Sequence, residues 1–180
     1  MSEITPTQIN QLKKSFGTIL LSNGFILLRN AYKVDNFKRV EYGEIQNLIT
    51  GVLGNIPVPV KDLSFYLADW NVWKDFLDSI LVSEIDYYAE RFDCDNYAFL
   101  VSSLASLFLC LNSCGVLHCT VYELKTGKLV GGHYCNLIVA KSGDLYLFDM
   151  NNGGYAPIKK NQNPIIKNWQ YRNLDKVELF

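Results

Sequence analysis

The chain has 180 residues, of which 49% are hydrophobic, 13% aromatic and only 19% charged. That composition excludes a disordered or repetitive chain and suits one domain with a proper core, or a core domain carrying an N-terminal elaboration. Seventeen basic against eighteen acidic residues leave a net charge of −1 with no sustained basic stripe, so no nucleic-acid partner is expected, and the sparse charge suggests that a protein partner covers part of the surface.

Residues 1–20 are polar and amphipathic without an apolar core and cleavage site, which predicts no secretory leader. The most apolar run, Ala98 to Leu111, contains Ser102, Ser103 and Ser106 and is too short to span a bilayer. No membrane partner is expected. The expected location is the cytoplasm, or host cytoplasm and virion if a phage encodes the chain.

Thr5-Pro6-Thr7-Gln8 opens a first helix with Ile9, Leu12, Phe16, Ile19 and Leu20 on one face. Phe25 to Tyr32 reads as a buried strand, with a short helix as the alternative. Glu41 to Leu53 reads as a second helix ended by Gly54-Asn55, and Ile56-Pro-Val-Pro-Val60 must be extended because each proline restricts the residue before it. This places the boundary between an N-terminal, mainly helical extension (1–60) and a core (61–180), the two forming one compact unit. A third helix is predicted over Asn71 to Leu81, within an aromatic stretch whose Trp70 and Trp73 read as core.

Asp93 to Asn112 predicts a long apolar helix ended by Ser113-Cys114-Gly115. His118 to Leu124, Gly132 to Ala140 and Leu145 to Met150 read as strands joined by turns at Lys125–Lys128 and Lys141–Asp144. Asn151-Asn-Gly-Gly154 is a further turn. Lys159, Lys160, Lys167, Arg172 and Lys176 mark the last segment as a solvated tail face. One central helix followed by an antiparallel β-meander is an α+β layout.

Five cysteines (94, 110, 114, 119 and 135) are expected as free thiols in a reducing compartment. Cys110, Cys114, His118 and Cys119 have the wrong spacing for a zinc knuckle, and the first two read as core residues on a helix face. Cys94 is different, because it stands where the polar, aromatic run Tyr87 to Asp93 gives way to the long helix. A helix N-terminus favours a thiolate through its dipole and free N–H donors. A thiol enzyme also needs an imidazole and an acceptor that fixes the imidazole's tautomer. His133 follows Gly131-Gly132 at a strand start, and Asp149 ends the next strand. A turn centred near Ser142-Gly143 sets position 133 opposite 151 or 152, so a register shift, a bulge or a longer loop is needed to align Asp149. His118 has no acid at a comparable spacing after it and reads as structural.

The run Glu90-Arg-Phe-Asp-Cys-Asp-Asn-Tyr-Ala-Phe99 resembles the nucleophile helix of the papain-like domain at the C-terminal end of a mushroom agglutinin, and of bacterial and phage relatives that lack its sugar-binding repeat. The wider papain-like and transglutaminase-like superfamily shows the same order of Cys at a helix start, Gly-His on one strand and an acid on the next. The resemblance covers roughly residues 69–154 and implies a papain-like or transglutaminase-like core. It implies Cys94 as nucleophile, His133 as general base and acid, and Asp149 as the residue orienting the imidazole. The reaction class would be cleavage or transfer at peptide or amide bonds through a thioester, with a peptide or protein as substrate. The N–H of Cys94 is the natural first oxyanion donor; Asn71, Trp70 and Asn96 are candidates for the second.

Thiol chemistry of this kind requires no cofactor. Some members of the family require calcium, and Asp93, Asp95 and Asp149 are the residues that would hold a hard cation. Asp93 and Asp95 also oppose a thiolate unless His133 or a cation offsets them. Two other readings stand beside catalysis. One is a non-catalytic structural or adaptor protein, for example a phage virion component, that keeps the fold and assembles through residues 1–60; the other is a metal-stabilised binding module.

Overall fold

The computed structural model describes residues 36–59, 61–80 and 93–179. The expected first helix and the 25–32 strand lie outside the described residues. Strand β1 (Phe37–Glu41) runs antiparallel to β2 (Ser64–Ala68), with Val40 opposite Phe65. Between them, helix α1 (Tyr42–Leu53) turns Ile45 and Ile49 inward, one turn apart. Gly54 stops it at a φ of 85°, its N–H returning to the Thr50 carbonyl at 2.9 Å. The proline-restricted stretch that follows is laid along the end of the chain, where the carbonyls of Pro57 and Pro59 accept the N–H groups of Val177 and Leu179.

Helix α2 (Trp70–Ile80) buries Trp73, Phe76, Leu77 and Ile80 at helical spacing. Helix α3 (Cys94–Leu109) buries Tyr97, Ala98, Val101, Ala105 and Phe108 in the same way. It ends earlier than the expected Asn112. Cys110 takes a left-handed conformation at φ 55°, and the chain then extends. The cause is polar: Asn112 accepts the Tyr66 N–H and donates to the Ser64 carbonyl, both at 2.9 Å, while the Ser113 hydroxyl donates to the Tyr66 carbonyl. These bonds tie residues 112–113 to β2 and pull them out of the helix. Cys114 therefore begins a strand, which corrects its placement on a helix face.

Six strands follow: β3 (Cys114–Glu123), β4 (Leu129–Val139), β5 (Leu145–Asp149), β6 (Gly154–Ile158), β7 (Ile165–Ile166) and β8 (Trp169–Glu178). They form one antiparallel sheet in the order β6-β5-β4-β3-β8-β7. The meander is thus extended by a hairpin that returns to pair with β3. The last segment is therefore not a solvated tail. Its lysines 159, 160, 167 and 176 point outward, while Ile158, Ile166, Tyr171 and Val177 are buried. Counting charges hid an apolar alternation.

The sheet curls until its outer strands nearly meet. A Cβ on Gly154 of β6 would lie 2.7 Å from Ile166 Cγ2 of β7, so glycine allows the near closure. Leu117, Cys119, Cys135, Leu137, Leu145 and Leu147 fill the interior together with Val40, Ile45 and Phe65. The alternate residues Cys114, Ile138 and Phe148 face outward against α2 and α3. The result is a mixed helix-and-sheet fold in which α3 packs across the outer face of β3 and β4. No described helix is long and apolar enough to cross a membrane.

Two glycines test this packing with opposite signs. At Gly115, a Cβ would stand 2.6 Å from the Glu178 carbonyl oxygen and 2.7 Å from Leu179 Cδ2. Gly115→Ala should destabilise by about 2 kcal/mol and lower Tm by roughly 4–8 °C. Gly51 lies in α1 with open space where a Cβ would go, so Gly51→Ala should stabilise by about 0.5–1 kcal/mol. Thermal melts of the two variants beside the parent check both signs.

Candidate active site

Strand parity places the polar residues. His133 shares the inward face of β4 with Cys135 and Leu137, and Asp149 shares that of β5 with Leu145 and Leu147. The β4–β5 ladder runs from Val139↔Leu145 to Asn136↔Phe148. Continued past that point, the register sets 133 opposite 151, as the turn predicted, and Asp149 opposite Cys135. His133 and Asp149 are then diagonal neighbours on one face. No shift or bulge is needed, which corrects the expectation that one was. His133 Nε2 donates to Asp149 Oδ2 at 2.9 Å, with the two residues only 6% and 1% exposed.

The Asp149 carboxylate is fully engaged. Oδ2 also accepts the Tyr171 hydroxyl at 2.6 Å. Oδ1 accepts the backbone N–H groups of Asn151 at 2.9 Å and Asn152 at 3.2 Å, an Asx turn closed by the Asn151–Gly154 corner. Asn152 Nδ2 donates to Tyr171 Oη at 3.1 Å and to the Ile166 carbonyl at 2.9 Å. The Trp169 ring meets the His133 ring edge-on at 5.6 Å. Tyr171, Asn152 and Trp169 were missed in the sequence. The Asp-Met-Asn-Asn-Gly corner could have suggested the Asx turn, but nothing in the sequence ties Tyr171 to residue 149.

Cys94 opens α3, behind Asp93 at the N-cap. Because β5 leaves β4 after Asn136, the β4 edge is open at Tyr134, and the Cys94 thiol lies where the Tyr134 N–H and the His133 side chain favour its ionised form. Nε2 is committed to Asp149, so Nδ1 is the nitrogen left for the thiol. Burial pushes the Cys94 thiol up, but the His133 contact, the Tyr134 N–H and the His133 charge outweigh it, and the net shift is downward from 9.0 despite opposition from Asp93. For His133, burial favours the neutral ring. The bonds to Asp149 and Cys94 and the Asp149 charge overcome that and raise its pKa to about 10. Each shift favours the charged form of its own group, thiolate for Cys94 and imidazolium for His133. Cys114, by contrast, is pushed up to about 12 by burial, and Cys135 is also raised.

A cleft of about 360 Å³ opens beside the sulfur, lined by Cys94, His133, Val121, Val130, Gly131, Gly132, Asn151 and Trp169. No Asp, Glu, Lys or Arg among the described residues lines it. Asn96 spends its Oδ1 on the Asp93 N–H at 3.2 Å, and its own N–H is bonded to Asp95 Oδ1 at 2.7 Å, so it serves the helix start. Asn71 is exposed in the first turn of α2 and Trp70 stacks on Tyr146; neither lines the cleft. Asp93 and Asp95 contact each other, and that contact, with burial, raises Asp95. A hard cation asks for six or more oxygens. Among the described residues no three His, Cys, Asp or Glu side chains converge on one point, and each oxygen of Asp149 already accepts two donors. His118, which read as structural, does have an acid beside it: Asp175 of β8 lies 2.6 Å from its Nδ1.

No family model matches the chain, and no curated protein matches it. Among solved structures it is similar to a complex of PSL1a with E64, at 15% identity and a TM-score of 0.47, over 65% of this chain and 46% of that one. It is also similar to a Polyporus squamosus lectin bound to a human-type influenza-binding epitope, at 17% identity and a TM-score of 0.45, over 66% of this chain and 45% of that one. The chain thus spans less than half the length of these mushroom lectin structures.

Proposed function

We propose that the chain is a papain-like cysteine hydrolase or acyltransferase acting on peptide or amide bonds. The observation that supports it is the buried Asp149–His133 pair, in which a four-fold bonded carboxylate orients an imidazole that shares a cleft with Cys94 and lowers the pKa of its thiol. In this reading the Cys94 sulfur attacks the substrate carbonyl carbon, and the carbonyl π pair moves to oxygen. The Cys94 N–H, at the positive end of α3, faces the resulting oxyanion. The imidazolium of His133 gives its proton to the departing amine as the C–N bond breaks, leaving a thioester. His133 then takes a proton from water or an acceptor amine as that group displaces the sulfur. These steps need no cofactor, and assembly with a protein partner through residues 1–60 belongs to the same proposal.

Alkylation by iodoacetamide tests the thiol. At pH 7 Cys94 should react ahead of Cys110, although Cys110 is the more exposed, and its rate should follow a titration with a midpoint below the ordinary value of 9.0. His133→Ala should slow alkylation at pH 7 about tenfold or more. On a library of fluorogenic peptide amides, Cys94→Ala should lower kcat/KM by at least about a thousandfold. Turnover that survives Cys94→Ala, or five thiols reacting at one slow rate, would sink the proposal in favour of a non-catalytic structural protein.

The His133 shift also fixes a sign for stability. Its folded pKa of about 10 lies above the unfolded value of 6.5, so the native state holds a proton that the unfolded chain releases first. The resulting stabilisation is complete below pH 6.5 and is lost as pH rises toward 10. Urea denaturation at stepped pH should find the stability gap between the parent and His133→Ala largest at pH 6 and shrinking steadily toward pH 10.

A further inference from the structure

The thiol and the imidazole come from different elements, so their separation depends on how α3 is held on β4. Most of that contact is apolar, between residues such as Val101, Ala105 and Ile138. Apolar packing is non-directional and tolerates small slides and rotations of a helix. A misplacement of about 1 Å is enough to matter for a reacting pair.

One side chain breaks the apolar pattern. Asn136 lies on β4, three residues beyond His133, and is 1% exposed. Its Nδ2 donates to the Ala98 carbonyl of α3 at 2.8 Å, to Ser102 Oγ of the same helix at 3.1 Å and to the Gly115 carbonyl of β3 at 3.2 Å. Ala98 is one helical turn past Cys94. The amide also sits at the last rung of the β4–β5 ladder, opposite Phe148, where β5 turns away and the edge that receives the sulfur begins. Its Oδ1 is buried with no hydrogen-bond partner among the described residues. A buried orphan acceptor is a cost that an apolar side chain at this position would avoid. The arrangement makes sense if the amide N–H group, rather than stability, is what the position needs.

We infer that Asn136 is a positioning residue that pins α3 to β3 and β4 and so sets the distance between Cys94 and His133. The inference rests on the thiol-enzyme reading of that pair. It concerns the rotation and axial position of the helix: a carbonyl and a hydroxyl on adjacent turns of α3 and a carbonyl of β3 converge on one NH2 group, so a slide or rotation of α3 would break these directional bonds. The pin does not touch substrate. It acts through the nucleophile and the base.

The test is the pH dependence of Cys94 alkylation by iodoacetamide in the full chain, with circular dichroism and a thermal melt on each variant. Asn136→Ala should raise the alkylation midpoint by about one pH unit and cut the rate at pH 7 about tenfold while the fold persists. Ser102→Ala suits a helix interior and removes one of the three acceptors, so it should cut the rate about two- to threefold. Val139→Ala, inside the curled sheet away from α3, serves as a control of general destabilisation and should leave the midpoint in place. A depressed parental midpoint that survives unchanged in folded Asn136→Ala overturns the pin alone. If Asn136→Ala does not fold, a parental profile in Ser102→Ala overturns it instead, as does an equal shift in Val139→Ala. A parental midpoint at the ordinary cysteine value overturns the thiol-enzyme reading and this inference with it.

Discussion

The buried charge of Asp149 is the constraint around which the site is arranged. An isolated carboxylate at 1% exposure would cost several kcal/mol, on the order of the whole stability of a domain, unless every lone pair found a donor. Four donors supply that: a ring nitrogen, a phenol and two backbone N–H groups. They come from three local structures. The Asx corner supplies the backbone pair, β8 supplies Tyr171 and β4 supplies His133. Satisfying one anion therefore fixes the relation of β4, β5 and β8 at the mouth of the curled sheet. The same saturation holds the His133 ring in one orientation against the carboxylate.

The second constraint is the unequal length of two neighbouring strands. Strand β4 spans eleven residues and β5 five. Where the shorter one leaves, an edge N–H on Tyr134 is left without a strand partner from β5, and α3 brings its first residue to that gap. Sheet edges of this kind usually need covering; here the start of a helix lies beside one. The Tyr134 N–H at that edge and His133, which belongs to the inner face, both favour ionisation of the Cys94 thiol. A site between two layers thus arises from where a ladder stops.

The acids beside Cys94 illustrate why local charge does not decide a pKa. Asp93 does oppose the thiolate, but its effect ranks below those of the His133 contact and the Tyr134 N–H. Asp93 and Asp95 meanwhile interact with each other, which favours a proton on Asp95. A carboxylate near solvent is screened, whereas a nearly buried imidazole in contact with the sulfur is not. Proximity in sequence gave the acids an importance that proximity in space gives to the histidine.

Much was legible in the chain itself. Apolar spacing located α1, α2 and α3, and glycine-containing turns located β4 and β5, because these patterns are local consequences of helix and strand periodicity. The order of Cys94, His133 and Asp149, and the expected facing of 133 and 151, also followed from sequence. The helix end at Leu109 did not, since it is set by Asn112 and Ser113 bonding to β2, more than forty residues away in sequence. Nor did β8, where Arg172 and Lys176 hid an inward face, or Tyr171, whose bond to Asp149 joins strands that are not neighbours in the sheet. The sequence by itself determined which residues of this protein can carry thiol chemistry and on which elements they stand. Only the tertiary structure decided that Asp149 is full, that His133 is its diagonal neighbour, and that Cys94 and His133 share one cleft, because burial, desolvation and long-range hydrogen bonding exist only once the layers are packed.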